Sequence, residues 1–238
     1  MNATLRKLIQ DYIDDFNQKQ SLEYVVTPSI PIVWFGDLER YMQSKKKVVT
    51  IGLNPSLKEF EGNRFDTVDM KAANAVTQLA DVLNAYFKRN PYMGWFNSFE
   101  NILPAVDASY HVDQAANTAL HIDIYSAIAT NPTWGRLDCD QKAAIRRTDL
   151  FKQLLAILHP DVIVFSANQA VFNEVFAVQF KYKCGNENIN GRRGMFIKRY
   201  FNGSQTLISG RNLRGTPFGG MSQQLARETI RQLMATEP

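Results

Sequence analysis

Three stretches of the chain place polar side chains where they could do chemistry. The first is Lys47 to Phe65, KVVTIGLNPSLKEFEGNRF, in which a short apolar run stops abruptly at a polar loop. Val48, Val49, Ile51 and Leu53 suit a strand buried on both faces, and Gly52 and Pro55 mark where it ends. Ligands of open α/β sheets sit just beyond the carboxyl ends of such strands, so Asn54, Pro55 and Ser56 stand where chemistry is usually done. Glu59, Glu61 and Asp66, in the same loop, read as solvated carboxylates, the alternative being that one of them assists in activating a nucleophile. The second stretch is HIDIY, residues 121–125, where His121, Asp123 and Tyr125 share one strand face because side chains alternate with period two. A charged Asp in an apolar strand is costly to bury alone, so Asp123 either pairs with His121 or Arg147 or reads a ligand. The third stretch is ISGRNLRGTPFGGMS, residues 208–222. Arg211 and Arg214 suit phosphate contacts and the glycines allow close approach, although an ordinary basic loop before a helix would look similar.

The elements that must position these residues follow from apolar spacing. Leu5, Leu8, Ile9, Tyr12, Ile13 and Phe16 predict an amphipathic helix, with Asp11, Asp14 and Asp15 off its apolar stripe. Residues 24–38 read as an extended connector whose PIVWFGD carries a short strand or a surface aromatic. Ala72 to Phe87 predicts a long helix stopped by Asn90-Pro91. The aromatic stretch 91–111 reads as a packed insertion or as a substrate-facing lid. A strand is expected over 119–125, a helix over 143–158, a strand over 161–166 and a helix over 168–178. Strands are expected again over 195–200 and 205–209, before a closing helix capped by Ser222. Strands alternating with helices imply right-handed crossovers and an α/β fold, a three-layer α/β/α sandwich with a mostly parallel central sheet.

With 238 residues and a 45% hydrophobic content, the chain can bury one sizeable core, so a single domain over 1–238 is expected. A net charge of +4 permits a polyanionic partner without demanding one. The basic residues Lys181, Lys183, Arg192, Arg193, Lys198 and Arg199, interleaved with Tyr182, Phe196 and Tyr200, read as a DNA track or as an ordinary solvated face. Cys139 and Cys184 stand far apart, which indicates neither a disulfide framework nor a metal site. The start MNATLRKLIQDY lacks the apolar centre of a signal peptide and no apolar run reaches membrane-spanning length, so a cytoplasmic monomer with no membrane attachment is expected.

GLNPS, followed by an acidic and aromatic loop ending in Arg64-Phe65, resembles the first motif of the uracil-DNA glycosylase superfamily, especially branches with a Gly-x-Asn-Pro loop. The resemblance implies an α/β/α sandwich that hydrolyses the N-glycosidic bond of a base flipped out of DNA, without metal or redox cofactor. It makes Asn54 the residue that positions the attacking water and Phe65 or Phe60 the one that stacks on the base, with Pro55, Ser56 and His121 lining the pocket. Asp123 then occupies the strand where several branches read uracil with an Asn. An Asp accepts only, which suits the exocyclic amine of a cytosine-type base better than the N3–H and O4 of uracil. The 208–222 loop corresponds to the motif that enters the minor groove. Ser209, Arg211, Asn212 and Arg214 would contact DNA there, and Leu213 would fill the gap left by the base. That motif usually reads His-Pro-Ser or Asn-Pro-Ser, and Ser209-Gly210-Arg211-Asn212 departs from it, removing a histidine that helps uracil leave. The expectation is therefore a modified pyrimidine, and specifically the phage-defence branch that excises glucosylated hydroxymethylcytosine. An ordinary uracil or mismatch glycosylase, or a non-catalytic DNA-binding module on the same fold, are the alternatives.

Overall fold

The computed structural model describes residues 1–187, 189 and 194–236. One sheet is built from β1 (Val48–Gly52), β2 (Ala108–Ser109), β3 (Asn117–Asp123), β4 (Val162–Phe165), β5 (Lys181–Glu187), β6 (Phe196–Phe201) and β7 (Thr206–Gly210). Its order is β2-β3-β1-β4-β7-β6-β5. β4 runs parallel to β1 and to β7, and β2 parallel to β3, while β6 is antiparallel to both β7 and β5. Every residue of β1, β4 and β7 is buried, as expected for parallel strands covered on both faces. The helices are α1 (Ala3–Lys19), α2 (Leu38–Gln43), α3 (Ala75–Asn84), α4 (Met93–Glu100), α5 (Cys139–Ile145), α6 (Thr148–Leu158), α7 (Gln169–Val175) and α8 (Gln223–Ala235). A mostly parallel sheet flanked by helices is the three-layer α/β/α sandwich that the alternation of elements predicts.

By contacts the chain divides into two compact units: residues 1–39, 52–92 and 120–159, and residues 40–51, 93–119 and 160–238. In the first unit α1 packs on α3 and α6 through Leu8, Ile9, Ile13 and Phe16, all buried. Asp15 departs from its expected solvent position: it is buried and bridges Lys19 at 2.5 Å and Arg147 at 2.7 Å. The same Arg147 divides the expected helix 143–158 into α5 and α6. Its N–H donates to Tyr125 O at 2.7 Å while its guanidinium holds Asp15 and Asp149, so the backbone leaves the helical path there. Trp34 is fully buried rather than a surface aromatic, and its Nε1 donates to Asn84 Oδ1 at 3.1 Å.

In the second unit the aromatic stretch is packed: Phe96, Phe99, Leu103, Val106 and Tyr110 are buried. α8 packs against β6 and the turn Leu103–Val106, and Ser222 caps it by accepting from Leu225 N at 3.2 Å. β5 was not foreseen, because KYKCGNE is an edge strand exposed along most of its length and carries no apolar alternation. Among the described residues no helix is long and apolar enough to cross a membrane.

The basic track is not one surface. Arg199 is 5% exposed, and its Nη1 donates to Leu233 O at 2.9 Å and Thr236 O at 2.5 Å. It thereby satisfies carbonyls at the carboxyl end of α8, where the helix dipole also favours a cation. Lys198 is drawn to Glu187 at 2.6 Å. Lys181, Tyr182 and Lys183 stay exposed on β5, and Arg192 and Arg193 lie outside the described residues. Arg199→Ala should therefore lower stability by about 2–3 kcal/mol in chemical denaturation, while Lys183→Ala should change it by less than about 0.5 kcal/mol. Equal effects of the two substitutions would contradict the capping role.

Candidate active site

In the first unit the chain beyond Asp123 runs beside the end of β1: Ile124 N donates to Gly52 O at 3.1 Å and Tyr125 N to Leu53 O at 2.9 Å. This brings two polar side chains over Gly52. A Cβ on Gly52 would collide with Asp123 Oδ1 and approach His121 Nε2 to 2.8 Å, so the glycine is required for the space that these side chains occupy.

Asn54 follows two residues on, half-buried. Its Nδ2 donates to Pro55 O at 2.8 Å and Thr130 Oγ1 at 2.9 Å, with Ile128 O at 3.4 Å. Those acceptors fix which end of the amide carries the hydrogens. Oδ1 is left as an acceptor to which no group donates among the described residues. The loop itself is stitched to the segment that holds the amide, since Thr130 N donates to Pro55 O at 3.2 Å and Ser56 bridges to Thr130. Pro55 is buried, and Ser56 caps a turn over Leu57–Glu59 by accepting from Lys58 N.

That turn delivers Glu59, and here the structure overturns the expectation of a solvated carboxylate. Glu59 is 7% exposed, and its Oε2 has no hydrogen-bond partner. Burial pushes its carboxyl up to about 8, the nearby charge of Asp123 adds to the rise, and Arg64 partly opposes it. Glu61 and Asp66 are exposed as expected, paired with Lys58 and Arg89. The sequence did hold a signal for the turn: Ser56-x-x-Glu59 has the spacing of a capping box. Nothing in that spacing reports burial.

Of the partners expected for Asp123, the structure supplies His121. Its Nε2 lies 3.6 Å from Asp123 Oδ1, with the two side chains 1% and 5% exposed. This is within ion-pair range and beyond hydrogen-bonding distance, so acceptor capacity remains on Asp123. Arg147 is instead taken by Asp15 and Asp149. The aromatic candidates form a ladder. Phe60 and Phe65 rings lie 5.2 Å apart, Phe65 stacks on Tyr86 at 5.2 Å, Tyr86 meets Phe35 edge-on at 4.8 Å, and Phe35 lies 5.5 Å from His121. Phe60 and Phe65 are both half-buried, and the ladder ties the loop to the strand that carries His121 and Asp123.

In the second unit the stretch after β7 is a hairpin rather than an open loop: β8 (Asn212–Leu213) pairs with β9 (Thr216–Pro217). Arg214 and Gly215 form its two-residue turn at φ +53° and +82°, both central residues being left-handed as a type I′ turn requires. Asn212 Oδ1 accepts from Gly215 N at 2.9 Å, and Trp95 Nε1 donates to Gly215 O at 3.1 Å. Ser209 does not reach a surface; it is buried in β7. Leu213 is half-buried, with side-chain atoms close to Gly219 and Gly220. Arg211 is half-buried, with Nη1 at 3.4 Å from Met195 Sδ. The exposed tip is Arg214.

The chain matches no family model and no curated protein.

Burial of Glu59 gives stability a definite pH dependence. Below its ordinary value of 4.5 the carboxyl is protonated in both folded and unfolded chains, so it contributes nothing there. Between 4.5 and about 8 only the unfolded chain releases the proton, which penalises folding increasingly, and the penalty levels off above about 8. Glu59→Gln should match the native protein in stability at pH 4 and exceed it by up to about 3 kcal/mol at pH 7. A variant less stable than native at pH 7 would contradict this environment.

Proposed function

We propose that this chain is a monofunctional DNA glycosylase that hydrolyses the N-glycosidic bond of a flipped, modified pyrimidine and leaves an abasic site. The observation that carries the reading is the locked amide of Asn54. With Nδ2 committed to Pro55 O and Thr130 Oγ1, Oδ1 is a preorganised acceptor for a water at the carboxyl end of a buried strand. Such a bond breaks through an oxocarbenium-like sugar, which needs a placed nucleophile and negative charge nearby more than it needs a strong base. Asn54 holds the water, and the Asp123 carboxylate supplies charge and an acceptor for an exocyclic amine. Phe60, at the outer end of the aromatic ladder, offers a ring to the extruded base.

A cytosine-type base is favoured over uracil because Asp123 donates nothing to a carbonyl O4. Arg214, at the exposed hairpin tip, suits a DNA phosphate. The bulky 5-substituents of phage cytosines are the substrates that the motif resemblance brings forward. DNA is thus the proposed partner, and water the only co-substrate.

Asn54→Ala should slow base release by at least ~100-fold, while DNA affinity stays near native. Because the amide also staples the loop, the variant should lose about 1–2 kcal/mol of stability and remain folded. Single-turnover assays of abasic sites on hydroxymethylcytosine DNA, with circular dichroism as control, check this. A folded Asn54→Ala that keeps native activity would refute the role of the amide.

A further inference from the structure

We infer that Glu59 is the acid that protonates the departing base, and that the base it serves carries a ring acceptor beside an exocyclic amine, as cytosine does. The inference rests on the glycosylase reading above and deepens it. Glu59 is 7% exposed with Oε2 unpartnered. A buried carboxyl without a partner is costly unless it is neutral, and a neutral one is a hydrogen-bond donor waiting for an acceptor. Its neighbour Asp123 keeps unused acceptor capacity, since His121 Nε2 stands 3.6 Å away. A donor at Glu59 and an acceptor at Asp123 can serve the N3 and N4 groups of cytosine, and what separates cytosine from uracil is the need of its ring for a proton on departure.

The charged and titratable groups facing the pair set how firmly Glu59 holds its proton. Asp123 and Glu61 raise its carboxyl and Arg64 lowers it, with burial the largest cause, and the result is about 8. The hydroxyl of Tyr86 is itself raised, by burial and by Glu59. A carboxyl raised in this way stays protonated near neutral pH and can serve as an acid.

The C1′–N1 bond breaks with its electron pair moving to the base, and the Glu59 proton passes to ring N3 or O2 so that the base leaves neutral. The water held by Asn54 bonds to C1′ through its oxygen. Its surplus proton passes to the Glu59 and Asp123 pair, which restores the acid. Cytosine needs this help because its anion is a poor leaving group, whereas a uracil-type base can depart as an anion.

The test is single-turnover base release from duplexes carrying 5-hydroxymethylcytosine, its glucosylated form or 5-hydroxymethyluracil, between pH 6 and 9. Native rates on the cytosines should fall about tenfold per pH unit above about 8. Glu59→Gln should be at least ~100-fold slower on the cytosines, with a flat profile, and far less impaired on hydroxymethyluracil. Native-like, pH-unchanged rates in Glu59→Gln, with Asn54→Ala inactive, would overturn proton donation and leave the glycosylase reading intact. No base release by native protein from any of the three DNAs would overturn both.

Discussion

A carboxyl buried without a hydrogen-bond partner holds its proton well above the ordinary range, and this constraint governs the loop after β1. Glu59 is that group, and the nearby charge of Asp123 adds to the effect of burial. Gly52 leaves the room that Asp123 and His121 fill, and the turn capped by Ser56 carries Glu59 inward. The bonds of Asn54 and Thr130 keep that turn from swinging out.

The same arrangement is a poor way to stabilise a fold. At neutral pH a buried neutral Glu costs folding free energy that a Gln would not, and a polar atom without a partner adds to the cost. Sites that retain such groups against stability are commonly functional ones. Elsewhere in the first unit the buried carboxylate of Asp15 is matched, by Lys19 and by Arg147. The contrast within one unit is what singles out the end of β1.

The parts of the fold written in apolar periodicity were legible in the sequence. Buried parallel strands announce themselves as unbroken apolar runs, so Val48–Gly52, Val162–Phe165 and Thr206–Gly210 could be placed. The cap at Ser222 was legible because its mechanism is local. What escaped depends on distant partners. Arg147 breaks a helix because Tyr125 and Asp15 are in reach. Arg199 looked like part of a basic surface until α8 brought its carbonyl end over it. Glu59 is the strongest case: its turn could be read from Ser56, but its burial comes from residues on other segments.

The most direct measurement is the identity of the product. Native protein would be incubated with single- and double-stranded DNA containing glucosylated 5-hydroxymethylcytosine, and with the same strands containing uracil, and the freed base identified by mass spectrometry. The account predicts free modified cytosine, an abasic site left in an intact strand, and little uracil. Efficient release of uracil with the modified cytosine left in place would contradict it.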